Sequence, residues 1–118
     1  MKRAELAGRN ILIVEEEPVV ALDVRTALEA AGATVVCKSV QDAARAVAQQ
    51  KFSAAILDLH PASNEHRPLA RALRKRGIPF LFHSTHHPED VTTMRGAPVV
   101  LNPTSVDNIV KAVALLLQ

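Results

Sequence analysis

Residues 54–59 read Ala-Ala-Ile-Leu-Asp-Leu, an apolar run with a single carboxylate, Asp58, near its end. Short apolar runs bounded by polar residues are typical of strands that are buried on both faces of a sheet. Comparable runs occupy residues 10–14, 34–37, 78–84 and 99–101. The sequence therefore predicts five strands, with Asp58 at the end of the third.

Amphipathic segments separate these runs and predict the helices. Pro18 suits the first turn of the first helix, and Gly32 is a natural stop beyond its end. A capping residue or a proline marks the start of three further helices, at Ser39, Pro68 and Thr104 or Ser105. The expected inner faces are Val20, Val24, Ala27, Leu28 and Ala31; Val40, Ala43, Ala44, Val47 and Ala48; Leu69, Ala72 and Leu73; and Val106, Ile109, Val110, Val113 and Leu117.

The stretch between the last two strands is the least regular part of the sequence. Residues 85–96 are mostly polar, and we expect at most a short helix there, near Glu89–Arg95. Five strands that alternate with four or five helices predict an α/β fold, with right-handed crossovers and a mainly parallel sheet covered on both faces. Residues 10–118 are expected to form this one domain, after an N-terminal extension at 1–9.

Composition limits the classes of function. The 118 residues are 48% hydrophobic and 22% charged, which fits one globular domain. A net charge of only +2, without Trp or Tyr, argues against a nucleic-acid partner. The lone Cys37 cannot form an intramolecular disulfide, and neither a signal peptide nor a membrane span is evident. A cytoplasmic protein without a membrane partner is expected.

The carboxyl ends of the predicted strands carry the residues that suggest chemistry. Ligands of open parallel sheets bind at this edge, where the strand order reverses. The loops there hold an acidic cluster at Glu15–Glu17, a strand-end carboxylate at Asp58, a hydroxyl at Ser84 and an amide at Asn102. Two simpler explanations stay open: the acidic cluster could favour a helix N-terminus, and Ser84 could only satisfy backbone groups.

Four segments together resemble the receiver domain of two-component response regulators: Ile11–Pro18, Ala55–Leu59, Ile78–Ser84 and Val100–Pro103. The resemblance covers nearly the whole chain and implies a flavodoxin-like, doubly wound, five-stranded parallel sheet in the order 2-1-3-4-5. Residues 76–82 also resemble an alphaproteobacterial receiver subgroup that carries a Pro-Phe-x-Phe strand and is linked to HWE-type histidine kinases. That subgroup continues with Ala-Thr-Gly-Tyr, whereas residues 83–86 here read His-Ser-Thr-His.

The resemblance implies a role for each site residue. Asp58 would accept a phosphoryl group from a sensor histidine kinase or a phosphotransfer protein, as a labile aspartyl phosphate. Mg²⁺ is the implied cofactor, with Glu15, Glu16, Asp58 and the backbone carbonyl of His60 as its ligands. The hydroxyl of Ser84 would sense the phosphoryl group.

Three positions depart from the family pattern. Glu16 stands where the family usually has Asp, and its extra methylene moves a ligand by about 1.5 Å in a geometry that tolerates little error. Asn102 stands at the position of a lysine that contacts the phosphoryl group, and an amide supplies no charge. Val99 occupies the position of a switching aromatic residue. The change at Glu16 is expected to weaken or re-order metal binding, and the change at Asn102 leaves three carboxylates facing one another without their usual cation.

The sequence leaves two functions open and argues against a third. The resemblance favours a non-enzymatic, stand-alone receiver that signals to a downstream protein through its fourth helix, fifth strand and fifth helix, with residues 84–96 as the switching segment. The alternative is a pseudo-receiver that binds proteins without being phosphorylated. A phosphatase-type hydrolase would need a second acid two residues after Asp58, where His60 stands.

Two further clusters have a simple and a functional explanation. His83, His86 and His87, together with His60, could bind a transition metal, although solvated loop histidines are more common. The basic residues of 67–76 would ordinarily form a solvated helix face, and the alternative is a docking surface for an acidic partner.

Overall fold

The computed structural model describes residues 5–59, 66–84, 93–94, 97–101 and 106–118. Strands and helices alternate through most of this range, as the sequence predicts. The elements are β1 Asn10–Val14, α1 Pro18–Ala30, β2 Thr34–Lys38, α2 Val40–Gln49, β3 Ala54–Leu59, α3 His66–Lys75, β4 Phe80–Ser84, β5 Thr93–Met94, β6 Ala97–Leu101 and α4 Val106–Leu116.

The sheet has the order β2-β1-β3-β4-β6-β5. Its first five strands pair in parallel, and β6 is the predicted fifth strand, so the predicted α/β fold and the order 2-1-3-4-5 are confirmed. The chain passes from β1 outward to β2 and then back to β3 on the other side of β1. The strand order therefore reverses between β1 and β3, and this is where a doubly wound sheet binds its ligands.

The short strand β5 was not predicted. It pairs antiparallel with β6, Thr93 opposite Pro98 and Met94 opposite Ala97. Two residues separate Met94 from Ala97, the commonest length for a hairpin connection, and this local pairing replaces the C-terminal end of the helix expected near Glu89–Arg95. Residues 89–92 and 95 of that expected helix lie outside the described residues.

The predicted starts of α1 and α2 rest on identifiable local interactions, whereas α3 begins at His66, two residues before the predicted start at Pro68. α1 begins at Pro18, and the backbone N–H of Ala33 donates to the carbonyl of Leu28 beyond its end. α2 is capped by Ser39, whose hydroxyl accepts a hydrogen bond of 3.3 Å from the N–H of Asp42. Among the described residues, no helix is long and apolar enough to cross a membrane.

Each face of the sheet supports its own apolar core. Leu12, Val14, Leu57 and Phe82 face α2 and α3, whereas the alternate strand positions face α1 and α4. The predicted inner faces are largely confirmed, with one correction in α2. Ala46 is buried there, whereas Ala44 and Ala48 are exposed, because the buried stripe follows Ala43, Ala46 and Val47 at a spacing of three and one.

Part of the expected N-terminal extension packs onto the domain. The side chain of Leu6 is fully buried in the core beneath α1 and α4, and its N–H donates to the carbonyl of Ala31. Gly32 lies beside this segment with a φ of +100°, and a Cβ at Gly32 would approach the Cα of Ala7 to 3.1 Å. A glycine at position 32 thus permits both the left-handed turn and the close approach of residues 5–9.

Candidate functional site

Three side-chain positions form a row across the carboxyl edge of the sheet. Val14 of β1 pairs with Leu57 of β3, so the next residues along the chain from each, Glu15 and Asp58, lie side by side. Asp58 pairs in turn with His83 on β4. Since parallel partners project to the same face, the row Glu15–Asp58–His83 lies on the side covered by α1 and α4.

Glu15 and Asp58 are brought together as the sequence predicts. Glu15 follows β1 directly and is half-buried, and its carboxyl group is hydrogen-bonded to that of Asp58. The pKa of Glu15 is raised to about 7, first by burial and then by the negative charge of Asp58, against a backbone hydrogen bond from Glu17 that lowers it. The two carboxyl groups therefore share a proton near neutral pH.

The backbone of the acidic turn holds Glu15 in place. The N–H of Glu17 donates to Oε2 of Glu15 over 3.1 Å, and the carbonyl of Glu17 accepts from the N–H of Ala21 as α1 begins. Glu16 and Glu17 point their side chains into solvent. The predicted acidic pair of Glu15 and Glu16 is thus unequal: Glu15 contacts Asp58, and Glu16 lies at the exposed rim.

His83 lies in the predicted fourth strand and is buried, unlike the solvated loop histidines that are the more common case. It lies inside β4, and only 3% of it is exposed. Burial lowers the pKa of its imidazole, although the nearby negative charge of Asp58 acts in the opposite direction. The signal was present in the sequence: Leu81 and His83 alternate with Phe80 and Phe82, which places His83 on the inner face of a buried strand.

The possible transition-metal cluster of histidines is not tested by the structure, because only His83 of its four members lies within the described residues. Within the described ranges, no group of three or more His, Cys, Asp or Glu side chains is arranged to hold a metal ion. His60, His86 and His87 lie outside those ranges. The described part of the site therefore offers the two carboxylates of Glu15 and Asp58, which are hard oxygen ligands, and the buried imidazole of His83.

The other predicted site residues are placed only through their backbone or lie outside the described ranges. Ser84 ends β4 and pairs with Leu59, so its backbone stands at the same edge as Asp58. Val99, in β6, pairs with Phe82 of β4. The side chains of Ser84 and Val99, and the whole of His60 and Asn102, are not among the described parts of the structure.

The basic side chains of α3 and the turn after it are exposed as predicted. One of them also has a structural contact, since the guanidinium of Arg74 lies 5.3 Å from the ring centroid of Phe80. That ring packs edge-on against Phe82 at 5.7 Å. Arg74 therefore helps hold α3 against the start of β4. The exposed members are Arg67, Arg71, Arg74, Lys75 and Arg76.

Solved structures of other proteins share this fold over nearly the whole chain. SdrG from Sphingomonas melonis Fr1 is 35% identical over 97% of this chain and 98% of its own, with a TM-score of 0.76. The BeF3-activated conformation of SdrG from Pseudomonas melonis Fr1 is 33% identical over 100% of both chains, with a TM-score of 0.74.

A response regulator receiver protein from Sinorhizobium medicae WSM419 has the same fold at lower identity. It is 20% identical over 92% of this chain and 94% of its own, with a TM-score of 0.80. No family model and no curated protein sequence matches the chain. The likeness is therefore carried by the fold as a whole and by the third of positions shared with SdrG.

Proposed function

The chain belongs to the receiver domains of response regulators, and from this premise we propose that it accepts a phosphoryl group on Asp58. The donor would be a sensor histidine kinase or a phosphotransfer protein of a two-component phosphorelay. The modified domain would then signal through protein–protein contacts on the face formed by residues 84–96, β6 and α4. Residues 84–96 would be the segment that changes with the modification.

One observation carries this proposal: the hydrogen-bonded carboxyl pair of Glu15 and Asp58 at the point where the strand order reverses. Two carboxyl groups this close, with the pKa of Glu15 at about 7, hold a proton that a cation can replace. Because two crowded carboxyl groups disfavour each other's ionisation, a pair with only a structural role would contribute little to stability. The arrangement suits a site that binds a cation and then a charged group.

The donor set fits Mg²⁺, which prefers carboxylate and carbonyl oxygens. Glu15 and Asp58 would hold it, and Glu16 with the backbone carbonyl of His60 would complete the proposed ligand set. When bound, the ion supplies positive charge against the phosphoryl oxygens. Because Asn102 supplies no charge, this ion would be the main cation of the site.

Asp58 is the nucleophile of the proposed reaction. One of its carboxylate oxygens attacks the phosphorus of a phosphohistidine, and the O–P bond forms as the N–P bond breaks. The electrons of the N–P bond remain on the donor imidazole, which takes up a proton. The hydroxyl of Ser84 would then hydrogen-bond to the transferred group.

The second candidate function is a pseudo-receiver that binds partners without modification. The shared proton favours it, because Glu15 and Asp58 satisfy each other near neutral pH without any cation. The longer side chain of Glu16 and the neutral Asn102 point the same way. The two candidates differ in whether Asp58 takes up a phosphoryl group or an analogue of one.

Beryllofluoride, an analogue of the phosphoryl group, tests the proposal. SdrG is described in a BeF3-activated conformation. We expect beryllofluoride with Mg²⁺ to shift amide NMR signals around Asp58 in this protein, and Asp58→Asn to abolish the shifts. Asp23→Asn, at an exposed position on α1, is the matched control and should respond as the wild type does. Equal spectra with and without the analogue would favour the pseudo-receiver.

A further inference from the structure

The imidazole of His83 is a buried polar group without a partner. Only 3% of the residue is exposed, and neither Nδ1 nor Nε2 makes a hydrogen bond to any part of the protein. Nearly all buried polar side-chain atoms in proteins are hydrogen-bonded, because an unpaired one loses its contacts with water and gains nothing in return. A histidine kept in this state at strand β4 therefore calls for a physical explanation.

The position of His83 supplies one. Its register partner on the neighbouring strand is Asp58, and parallel strands lie about 4.8 Å apart. The two side chains project to the same face, as the alternation of Ile56 with Leu57 and of Leu81 with Phe82 between the two cores shows. The imidazole thus stands beside the carboxyl group that we propose as the phosphoacceptor.

In the unmodified protein, the partner of Asp58 lies on the side of β1, away from His83. Asp58 is hydrogen-bonded to Glu15, whereas His83 has no hydrogen-bond partner. In either protonation state, an imidazole carries at least one N–H donor. A donor is therefore held next to Asp58 and is not used.

We propose that the N–H of His83 donates a hydrogen bond to the phosphoryl group carried by Asp58, and that His83 is a phosphoryl-binding residue of this protein. The inference rests on the proposed phosphorylation of Asp58. A phosphoryl group adds oxygens that extend beyond the carboxylate, and these can meet the idle donor. His83 would thereby provide a contact at a site where Asn102 offers no cation.

Two substitutions of His83 test the inference, because loss of the imidazole should weaken binding of the analogue without lowering the stability of the protein. His83→Leu removes both nitrogens at similar volume, and His83→Gln keeps a donor. We expect His83→Leu to weaken binding of beryllofluoride with Mg²⁺ by about three- to tenfold, the range for one lost hydrogen bond, and His83→Gln to retain most of the affinity. We also expect His83→Leu to unfold at the same or a higher urea concentration without the analogue, because it removes unpaired polar atoms.

A measurement on the unaltered protein accompanies the variants. In ¹⁵N-histidine NMR spectra, the protonated ring nitrogen of His83 should shift when beryllofluoride and Mg²⁺ are added. Wild-type binding with an unchanged His83 signal, or equal affinity of His83→Leu, would overturn this inference and leave the proposed function intact. Absence of binding to the wild type, together with no labelling of Asp58 by a phosphodonor, would overturn both.

Discussion

At the residue scale, the crowding of Glu15 against Asp58 is the property that sets this site apart. Because the pKa of Glu15 is raised to about 7 from 4.5, the folded protein holds a proton that the unfolded chain releases. Stability contributed by this group is therefore fully present below pH 4.5 and is lost as the pH rises through about 7. This contribution is therefore smallest above about pH 7, where Glu15 is ionised and can bind a cation.

The substitution Glu15→Gln should remove this pH dependence. In metal-free buffer, we expect the free energy of unfolding of the variant relative to the wild type to rise by about 1 to 2 kcal/mol between pH 4.5 and 7.5, a figure reduced because Glu15 is only half-buried. Urea unfolding at several pH values measures it. Glu16→Gln, at an exposed position, is the control and should follow the wild type. A constant difference between Glu15→Gln and wild type would contradict the shared proton.

At the element scale, helix starts were the features most directly readable from the sequence. Ser39 was predicted to cap α2, and its hydroxyl accepts from the N–H of Asp42. By contrast, β5 was missed because a two-residue strand has too few positions to show alternation. Its pairing with β6 depends on contacts between residues 93–94 and 97–98, which only the folded hairpin displays.

Loss of the α2 cap should lower stability measurably. We expect Ser39→Ala to reduce the free energy of unfolding by about 1 kcal/mol, because the N–H of Asp42 would lose its partner in the first turn. Gln41→Ala, at an exposed position in the same turn, should change stability by less than about 0.5 kcal/mol. Urea unfolding of both variants provides the measurement. Equal stabilities would show that the cap contributes nothing.

At the scale of the whole molecule, the domain includes more of the N-terminus than the sequence suggested. Leu6 lies in a charged segment without periodicity, so no local pattern marks it as a core residue. Its burial depends on the turn at Gly32, which brings Ala31 within hydrogen-bonding distance of Leu6. Such a contact joins residues that are far apart in the sequence.

Removal of the Leu6 side chain tests this boundary. We expect Leu6→Ala to lower the free energy of unfolding by about 2 to 5 kcal/mol, because a fully buried leucine leaves a cavity. Leu22→Ala, whose side chain is 61% exposed on α1, is the matched control and should cost less than about 1 kcal/mol. Similar losses for the two variants would mean that residues 5–9 are not part of the cooperative unit.

The fold was more predictable from the sequence than the site. Strand and helix periodicity sufficed for a mainly parallel α/β sheet, because each crossover helix and buried strand repeats the same pattern. The strand order came from the resemblance to receiver domains. The pairing of Glu15 with Asp58 followed from the edge at which strands β1 and β3 end. The burial of His83 was missed, although its alternation with Phe80 and Phe82 indicates it, because His83 also begins a histidine-rich segment.

The intact mass of the protein after incubation with a small phosphodonor and Mg²⁺ tests the central claim most directly. We predict the addition of one phosphoryl group to the wild type and to the control Asp23→Asn, and none to Asp58→Asn or in the absence of Mg²⁺. Addition that persists in Asp58→Asn would contradict the assignment of the phosphoacceptor. An unmodified wild type, both with the small donor and with a phosphorylated histidine kinase, would contradict the receiver function and favour the pseudo-receiver.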